Sequence, residues 1–427
     1  MRILLFALAG FIFLSSCSPI SKRSLTKTFK QTEKKFQDHT GFALYDPQEK
    51  KTIYEFNSDK YFTPASNTKI FTLFASLNII GDSIPGIKYV ERNDSIIFWG
   101  TGDPTFLYKN TFTNDRIYSF LTSAKQNLYF SSDNFNTTAF GSGWAWDDYN
   151  DYYSAERFSF PVYGNIFLVN ATNQNVTITP DFFSTYLHMG EPREKPEVVR
   201  SFHSNNFDYY PSGKSGEWEI PFRTEPTFIA ELLTDTVKQK IQHISKVITV
   251  DAKTMYSVPA DSVYKVMMQE SDNMMAEHLL LICAGILSDT LQPEIAIDYV
   301  QKTFFADLID KPVWVDGSGL SRYNLFTPRS IVQVWDKMYR LLPRERLFPM
   351  LATGGGNGTL KNWFKAEKPY IFGKTGSLSN NHCLSGYLVT KSGKTLIFSF
   401  MNSNFAAPTS SIRKNMQEIL NSIYEKY

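Results

Sequence analysis

The feature that most constrains the fold is a change in hydrophobic periodicity along the chain. Apolar residues recur at helical spacing near both ends, whereas from about residue 86 to 255 short β-like pieces alternate with Asn, Ser, Gly and Pro turns. A chain of 427 residues is also longer than one hydrophobic core normally supports. The pattern predicts an α/β (α+β) domain built from residues 25–85 and 256–427, with residues 86–255 as a β-rich inserted domain.

The secondary structure of the two chain ends can be predicted segment by segment. Residues 25–37 suit an amphipathic helix and residues 70–80 a buried one, because the second stretch is nearly all apolar and lacks proline. Two strands at 41–45 and 52–56 are separated by a turn-rich connection, which is typical of a hairpin. The C-terminal part predicts helices at 263–287, 293–307, 327–342 and 410–425, and strands near 370–376, 384–390 and 395–401.

Composition and missing motifs exclude several classes of protein. With 42% apolar and 20% charged residues, the chain is not intrinsically disordered. Its 44 Lys and Arg balance 42 Asp and Glu, so we expect no nucleic-acid partner. The sequence has no H-E-x-x-H, no G-x-G-x-x-G after a strand and no phosphate-binding loop, and its six histidines are scattered. We therefore expect neither a metal site nor a cofactor.

The N-terminus has the pattern of an export signal. Arg2 precedes an unbroken apolar run at residues 3–14, which is too short to span a hydrocarbon core. The following L-S-S-C resembles the lipobox of bacterial lipoproteins. That resemblance implies a signal peptide at 1–16, lipidation of Cys17 and a polar tether over 17–24. It also implies a periplasmic protein of the bacterial envelope, anchored to a membrane, most naturally the outer one, through acyl chains.

A serine and a lysine open the first buried helix. Ser66 and Lys69 stand at i and i+3, so a helix places both side chains on one face, one turn apart. A serine hydroxyl becomes a strong nucleophile only when a base removes its proton. A lysine can be that base if burial or a nearby cation keeps it neutral. On its own the S-x-x-K pattern is weak, since a helix cap followed by a solvated lysine gives the same four letters.

Two further motifs strengthen the case. Ser271, Asp272 and Asn273 lie between two helical segments, and K-T-G at 374–376 follows residues with the composition of a strand. S-x-x-K, S-x-N and K-T-G in this order are the set found in class A β-lactamases and penicillin-binding proteins. In this chain the first two motifs are separated by the whole β-rich middle region, whereas class A β-lactamases place them much closer together.

The chain resembles the D-alanyl-D-alanine carboxypeptidases/endopeptidases of the penicillin-binding protein 4 type, which are low-molecular-mass class C penicillin-binding proteins. The resemblance extends over nearly all of the mature chain. Four further stretches support it: G-T-G-D-P-T at 100–105, G-W-A-W-D-D at 143–148, D-G-S-G-L-S-R at 316–322 and G-T-L-K at 358–361. In one place the chain departs from the family, because Trp363 stands where we expect an arginine in a G-V-D-G-T-L-K-x-R-like stretch.

The resemblance implies a fold, a reaction and roles for individual residues. The fold is a penicillin-binding protein/serine β-lactamase-like domain with an antiparallel sheet flanked by helices. The reaction is cleavage of D-Ala-containing bonds in peptidoglycan stem peptides through an acyl-enzyme, and β-lactams would acylate the same serine. The implied roles are Ser66 as nucleophile, Lys69 as base, Lys374 as a second positive charge, Ser271 as proton relay, Asn273 as orienting amide, backbone N–H groups of Ser66 and Ser377 as oxyanion hole, and Thr375, Gly376 and Ser377 as substrate-binding residues.

Other interpretations stay open at the level of sequence. A β-lactamase or esterase on the same fold would carry the same motifs, and so would an envelope lipoprotein that binds peptidoglycan without cleaving it. Carboxypeptidase and endopeptidase action are not separable from these residues. Asp103 and Asp316 fit either a substrate contact or a turn, and we expect the turn. Cys383 follows His382, but nothing else in the sequence supports a cysteine nucleophile.

Overall fold

A computed structural model describes residues 21–109, 111–112, 116–172 and 175–427. The predicted signal peptide and Cys17 lie outside these ranges. Within them no helix is long and apolar enough to cross a membrane. The helices are α1 Lys22–Phe36, α2 Thr68–Ile79, α3 Arg116–Ser123, α4 Pro226–Val237, α5 Ala260–Gln269, α6 Asn273–Ser288, α7 Pro293–Thr303, α8 Pro328–Leu341, α9 Arg344–Leu347 and α10 Thr409–Lys426.

The strands of the described residues form four sheets. Their bounds are β1 His39–Asp46, β2 Lys51–Phe56, β3 Ser83–Arg92, β4 Ser95–Gly100, β5 Asn127–Ser131, β6 Ile166–Ala171, β7 Val176–Thr179, β8 Leu187–Met189, β9 Glu197–Arg200, β10 Phe207–Tyr210, β11 Gly216–Pro221, β12 Ile241–His243, β13 Lys253–Pro259, β14 Ala352–Thr353, β15 Ile371–Leu378, β16 Asn381–Val389 and β17 Thr395–Ser403.

The largest sheet joins the two ends of the chain. Its six strands run in the order β14-β15-β16-β17-β1-β2, and every neighbouring pair is antiparallel. The N-terminal hairpin pairs with the C-terminal strands through β1 and β17, from His39 opposite Ser403 to Tyr45 opposite Ile397. The predicted hairpin and the three predicted C-terminal strands therefore lie in one sheet, as does the short strand β14, which the sequence pattern did not indicate.

Helices cover both faces of this sheet. Ile397 and Met401 of β17 pack into a core with α2, α5, α6, α7 and α8 on one face, while Phe398 and Phe400 pack against α1 and α10 on the other. Leu25, Phe29 and Phe36 are buried in α1, as the amphipathic pattern of residues 25–37 predicts. Since both sides are covered, β16 and β17 are buried along nearly their whole length, and this includes polar residues such as His382 and Ser385.

The middle of the chain forms three smaller sheets around a separate core. These are a five-stranded sheet, β12-β5-β4-β3-β13, and two three-stranded sheets, β8-β10-β9 and β11-β6-β7. The predicted boundaries after residues 85 and 255 fall within β3 and β13, which pair with each other. The chain therefore leaves and re-enters the large domain on adjacent strands. Helices α3 and α4 also lie in this region, so the scarcity of helical periodicity there concealed two helices.

The breaks between elements position the motifs. The long helix predicted over 263–287 is divided into α5 and α6, and Ser271 lies in the gap with a φ of 63°, in the left-handed region. Asp272 then caps α6, because its carboxylate accepts a hydrogen bond from the Met275 N–H at 3.0 Å. Near the N-terminus, α1 begins at Lys22, so residues 22–24 of the predicted tether are helical.

Candidate active site

Ser66 lies in a tight 3₁₀ turn, Ala65–Asn67, that leads into α2. Ala65 has a φ of 47°, a conformation that L-residues rarely adopt, and its carbonyl oxygen accepts a hydrogen bond from Thr68 Oγ1 at 2.9 Å. Gly319 packs directly on this turn, since a Cβ there would lie 1.9 Å from the Ala65 carbonyl oxygen. The turn holds the partly exposed serine ahead of the helix that carries Lys69.

Lys69 is completely buried and surrounded by oxygen atoms. Its Nζ lies 3.0 Å from Ser66 Oγ, 2.6 Å from Asn273 Oδ1 and 2.7 Å from the Ser318 carbonyl oxygen. The S-x-x-K pair therefore meets as helical spacing predicts, and the S-x-N asparagine lies beside the same amine. The structure also supplies a third neighbour, the Ser318 carbonyl, which the sequence analysis did not identify.

Burial lowers the pKa of Lys69 to about 8, because removing the ammonium group from water favours the neutral amine. Three carboxylates, Asp316, Glu277 and Asp272, act in the opposite direction and keep the pKa from falling further. A lysine in this range exchanges its proton readily near neutral pH, which is the property required of a general base.

Lys374 and Ser271 form the second half of the site. Lys374 lies on β15 with its Nζ 2.8 Å from Ser271 Oγ and 2.8 Å from the carbonyl oxygen of Thr375. Burial lowers the pKa of Lys374 well below its usual value, and the positive charge of Lys69 lowers it further. Ser271 thus lies in hydrogen-bond contact with one of the two lysines.

Asn273 is oriented from two sides. Its amide oxygen accepts from Lys69, and its Nδ2 donates to the backbone carbonyl of Tyr153 at 2.9 Å. Tyr153 belongs to the middle region of the chain, so that region contributes directly to the alignment of the site. Tyr108, also from that region, donates a hydrogen bond from its hydroxyl to the carboxylate of the neighbouring Asp272.

Gly376 allows β15 to pass over the Ser66 turn. A Cβ at this position would lie 2.6 Å from the Pro64 carbonyl oxygen and 2.9 Å from the Ser66 nitrogen. β14 pairs only with Phe372 and Gly373, so within the described residues the outer edge of β15 beyond Gly373 has no strand beside it. An extended peptide can add to that edge by main-chain hydrogen bonds, directly next to Ser66.

The other two residues of the K-T-G-S stretch present hydroxyl groups. Thr375 Oγ1 donates to Thr359 Oγ1 at 2.7 Å, and Thr359 lies in the G-T-L-K loop. Ser377 is exposed, with its Oγ 2.8 Å from His382 Nδ1. Burial and the charge of Arg413 lower the pKa of His382 to about 3, so this imidazole is neutral at physiological pH.

A buried ion pair supports the loop that contacts Lys69. Glu277 lies one turn after Asn273 on α6, accepts from the Ser318 N–H at 2.7 Å and pairs with Arg157 at 3.2 Å. Burial, reinforced by the charge of Asp316, raises the pKa of Glu277. The sequence analysis missed both residues. A glutamate within the apolar run of α6 was the available signal, because a buried carboxylate requires a partner.

Asn67 was also missed, although it follows the serine directly. It is fully buried, its Nδ2 donates to the Lys374 carbonyl oxygen at 2.9 Å, and its Oδ1 accepts from Ser385 Oγ at 2.7 Å. The amide thus ties the Ser66 turn to β15 and sets the spacing between the two lysine-bearing elements. An unspecified position of the S-x-x-K pattern gives no sequence signal for such a role.

Asp316 and Asp103 both accept hydrogen bonds from the backbone of the loops in which they lie. Asp316 accepts from the backbone N–H groups of Gly319 and Ser321 and from Asn324 and Trp144 side chains, at 2.7–2.9 Å. It therefore organises the loop that presents the Ser318 carbonyl to Lys69. Asp103 is buried in a turn, where it accepts from the Thr105 N–H at 2.9 Å.

Cys383 does not form a nucleophilic pair with His382. The adjacent residues point to opposite faces of β16, where Cys383 Sγ contacts the Thr63 carbonyl oxygen at 3.6 Å and the His382 ring contacts Ser377. Burial also raises the pKa of the Cys383 thiol to about 12, so the thiolate is not available at neutral pH.

Several known proteins are similar to this chain in sequence and in fold. D-alanyl-D-alanine carboxypeptidase DacB of Haemophilus influenzae is 22% identical over 415 residues, covering 84% of each protein. Penicillin-sensitive carboxypeptidase A of Dictyostelium discoideum is 22% identical over 454 residues, covering 88% of this chain and 85% of the relative. The crystal structure of penicillin binding protein 4 from H. influenzae superposes with a TM-score of 0.77 at 18% identity, covering 93% of this chain and 99% of that one.

The predicted fold class is confirmed by this superposition, and the predicted family and enzyme class by the family match. That match runs over residues 22–423, which includes all three motifs and the middle region between them. The chain therefore belongs to the D-Ala-D-Ala carboxypeptidase 3 (S13) family.

Proposed function

We propose that Ser66 cleaves D-Ala-containing bonds of peptidoglycan stem peptides through an acyl-enzyme, as a D-Ala-D-Ala carboxypeptidase, a D,D-endopeptidase or both. The observation that carries the proposal is the environment of Lys69. A buried amine with a lowered pKa lies 3.0 Å from the hydroxyl of a serine at the start of a helix. A weak nucleophile and its base are thereby held within hydrogen-bond distance.

The neighbours of Lys69 determine where its lone pair points. A neutral amine has two N–H bonds and one lone pair. The amide oxygen of Asn273 and the carbonyl oxygen of Ser318 can only accept, so they take the two N–H donors. The lone pair then faces Ser66 Oγ, whose proton it accepts as the serine oxygen attacks the carbonyl carbon of the penultimate D-Ala.

Collapse of the tetrahedral intermediate requires a proton for the leaving amine. In this proposal Ser271 delivers it, and the hydrogen bond between the Ser271 hydroxyl and Lys374 supports that role. The proton that Lys69 took from Ser66 passes to the leaving nitrogen through this hydroxyl. The C–N bond breaks, the amine leaves and the acyl group stays on Ser66 as an ester. A water molecule, deprotonated by Lys69, then hydrolyses the ester and restores the serine.

The negative charge of the intermediate falls between two backbone N–H groups, those of Ser66 and Ser377. The close approach of Gly376 to the Ser66 turn brings these two segments together. In other acyl-transfer enzymes, removing one such donor costs about 3–4 kcal/mol of transition-state stabilisation. β-Lactams acylate Ser66 through the same arrangement, because their strained amide mimics the peptide bond.

The substrate carboxylate affects the two lysines differently. Thr375 and Ser377 hold this carboxylate on the strand that carries Lys374, so its negative charge favours the protonated form of Lys374. A protonated Lys374 in turn disfavours a positive charge on Lys69. Binding of the correct substrate thus promotes the neutral base at Lys69 at the moment when it is needed.

A protein that cleaves stem peptides works in the bacterial cell envelope. We propose that residues 1–16 direct export to the periplasm and that lipidation of Cys17 attaches the enzyme to the membrane, in our interpretation the outer membrane. The L-S-S-C sequence supports this proposal. Labelled fatty acid should enter the wild-type protein in the native host and not Cys17→Ser. Equal incorporation into both would contradict the anchor.

Digestion of purified peptidoglycan tests the proposed activity. Mass spectrometry should detect free D-Ala, cross-link-derived monomers or both after incubation with the wild type, and neither with Ser66→Ala. Ser76→Ala is the matched control, because it removes a buried serine hydroxyl from α2, the helix that follows Ser66, and should keep activity. Unchanged product release by Ser66→Ala would contradict the assignment. Rapid turnover of a chromogenic cephalosporin without peptide cleavage would favour a β-lactamase.

A further inference from the structure

Arg413 is a cation without a counterion beside the proposed substrate groove. It lies on α10, on the far side of β16 from Lys69, and its Nη2 is 3.5 Å from Ser377 Oγ. Among the described residues no carboxylate forms an ion pair with it. Its Nε is buried without a hydrogen-bond partner. Burial lowers the pKa of the Arg413 guanidinium.

A half-buried arginine of this kind is costly unless something compensates its charge. Guanidinium groups that leave water are normally paired with carboxylates or phosphates. Neighbouring side chains provide only partial compensation here, through the ring of Trp363, whose centroid is 6.0 Å from the guanidinium carbon. The partner that this guanidinium lacks is therefore an anion, which the part of the chain that the structure describes does not supply.

The surroundings of Arg413 fit a carboxylate. A small cavity beneath the groove is lined by Arg413, Thr375, Thr359, Trp363 and His382, together with apolar side chains. The hydroxyl of Ser377 lies between the Arg413 guanidinium and the neutral His382 ring. Hydroxyl donors and one cation thus converge at the outer edge of β15, where the proposed mechanism places the end of the peptide.

The sequence lacks an arginine where the family resemblance predicts one, and Arg413 on α10 provides a cation nearby. Trp363 occupies the position where the family-like stretch leads us to expect an arginine, and Trp363 lies next to Arg413. A planar guanidinium binds a carboxylate through two parallel hydrogen bonds, which gives direction as well as charge.

We propose that Arg413 binds the C-terminal carboxylate of the peptide substrate, together with Thr375 and Ser377, and so selects substrates that carry this charge. The inference rests on the proposed function, since it requires that the peptide end lies along β15. Arg413 is a specificity-determining residue in this account, and Ser66 and Lys69 perform the chemistry.

The test compares benzylpenicillin, which carries a carboxylate, with its uncharged methyl ester. Second-order rate constants of acylation are measured for the wild type, Arg413→Gln, Arg413→Lys and Lys414→Gln. Lys414 is the matched control, because it is the adjacent cation on α10 and is exposed. Arg413→Gln should slow acylation by benzylpenicillin about 10- to 100-fold, the value of a charged hydrogen bond, and leave the methyl ester unchanged. The rate constant of Arg413→Lys with benzylpenicillin should lie between those of the wild type and Arg413→Gln. The rate constant of Lys414→Gln should equal that of the wild type.

Each outcome has a distinct meaning. An equal loss with both probes in Arg413→Gln would show a purely structural role, and no loss with either would show that Arg413 does not contact the ligand. Both results would overturn this inference while leaving Ser66 acylation intact. A wild type that benzylpenicillin does not acylate would instead contradict the proposed function, and this inference with it.

Discussion

The two buried lysines of the site are chemically alike and electrostatically different. Lys69 and Lys374 are both fully excluded from water, and each lies within 3.0 Å of a serine hydroxyl. Lys69 has three carboxylates in its surroundings, Asp316, Glu277 and Asp272, which offset part of its burial. Lys374 has no such compensation and experiences the charge of Lys69 in addition.

This difference in surroundings fits the separate tasks that we propose for the two lysines. The carboxylates keep Lys69 at a pKa near 8, where it can take and return a proton within one reaction cycle. In the proposed mechanism, Lys374 becomes charged when the substrate carboxylate binds along β15. Three carboxylates make this difference: Asp272 lies within the S-x-N motif, whereas Glu277 on α6 and Asp316 lie outside the three motifs.

Replacing the base should have the largest effect. Lys69→Met keeps the length and burial of the side chain and removes the lone pair that faces Ser66. Acylation by benzylpenicillin should slow by about 10²- to 10⁴-fold, the usual contribution of a general base. Stopped-flow or quench measurement of the acylation rate checks this. A rate close to that of the wild type would mean that another group deprotonates Ser66.

Replacing the second lysine should have a smaller effect. Lys374→Met removes one charged hydrogen bond to Ser271 and leaves the pair of Ser66 and Lys69 intact, so acylation should slow by about 10- to 100-fold. The same measurement compares the two variants directly. If Lys374→Met proved more damaging than Lys69→Met, the roles given to the two lysines would have to be exchanged.

Lys374→Met should increase the stability of the protein although it lowers the rate of acylation. Folding lowers the pKa of Lys374 below its value in the unfolded chain. At neutral pH the unfolded chain therefore binds this proton more strongly than the folded protein, which lowers the free energy of unfolding. This destabilisation disappears above about pH 10.5, where the lysine is deprotonated in both states. Lys374→Met should therefore raise the free energy of unfolding at pH 7 by about 1–2 kcal/mol.

Denaturant unfolding at pH 7 of both methionine variants provides the comparison. Lys69→Met should gain less than Lys374→Met, because it also removes a positive charge that Asp316 and Glu277 attract, although Glu277 keeps its ion pair with Arg157. A loss of stability in Lys374→Met, or a larger gain in Lys69→Met, would contradict the electrostatic difference between the two sites.

The smallest effect should be a shift in pH dependence. Asp272→Asn removes one negative charge that raises the pKa of Lys69, and asparagine still caps α6. Acylation requires neutral Lys69, so the rate rises with pH, and the midpoint of that rise should move to lower pH by less than about one unit. Asp298→Asn, on the exposed face of α7, is the control. A midpoint that stays in place or moves to higher pH would count against Lys69 as the titrating base.

The sequence predicted the elements that carry the motifs better than the contacts between them. Helical spacing placed Ser66 beside Lys69, and the strand-like composition of the residues before Lys374 placed it on a strand, because both signals are local in the sequence. The interior of the β-rich region was read less well. α3 is only eight residues long and α4 begins at a proline, so neither gave a long periodic signal.

Contacts between segments that are distant in sequence leave no local pattern from which they could be predicted. The Ser318 carbonyl reaches Lys69 through a backbone atom, which no residue identity reveals. Tyr153 likewise orients Asn273 through its carbonyl, and Arg157 meets Glu277 across a wide separation in sequence. Arg413 approaches Ser377 from the last helix, and the sequence pattern predicted only that residues 410–425 are helical.

The location of the covalent penicillin adduct tests the central claim most directly. Purified protein is incubated with benzylpenicillin, digested and analysed by tandem mass spectrometry, with Ser66→Ala and Ser76→Ala treated in parallel. The account predicts one penicilloyl group, on Ser66, in the wild type and in Ser76→Ala, and none in Ser66→Ala. An adduct that persists in Ser66→Ala, or that lies on Ser271 in the wild type, would contradict it.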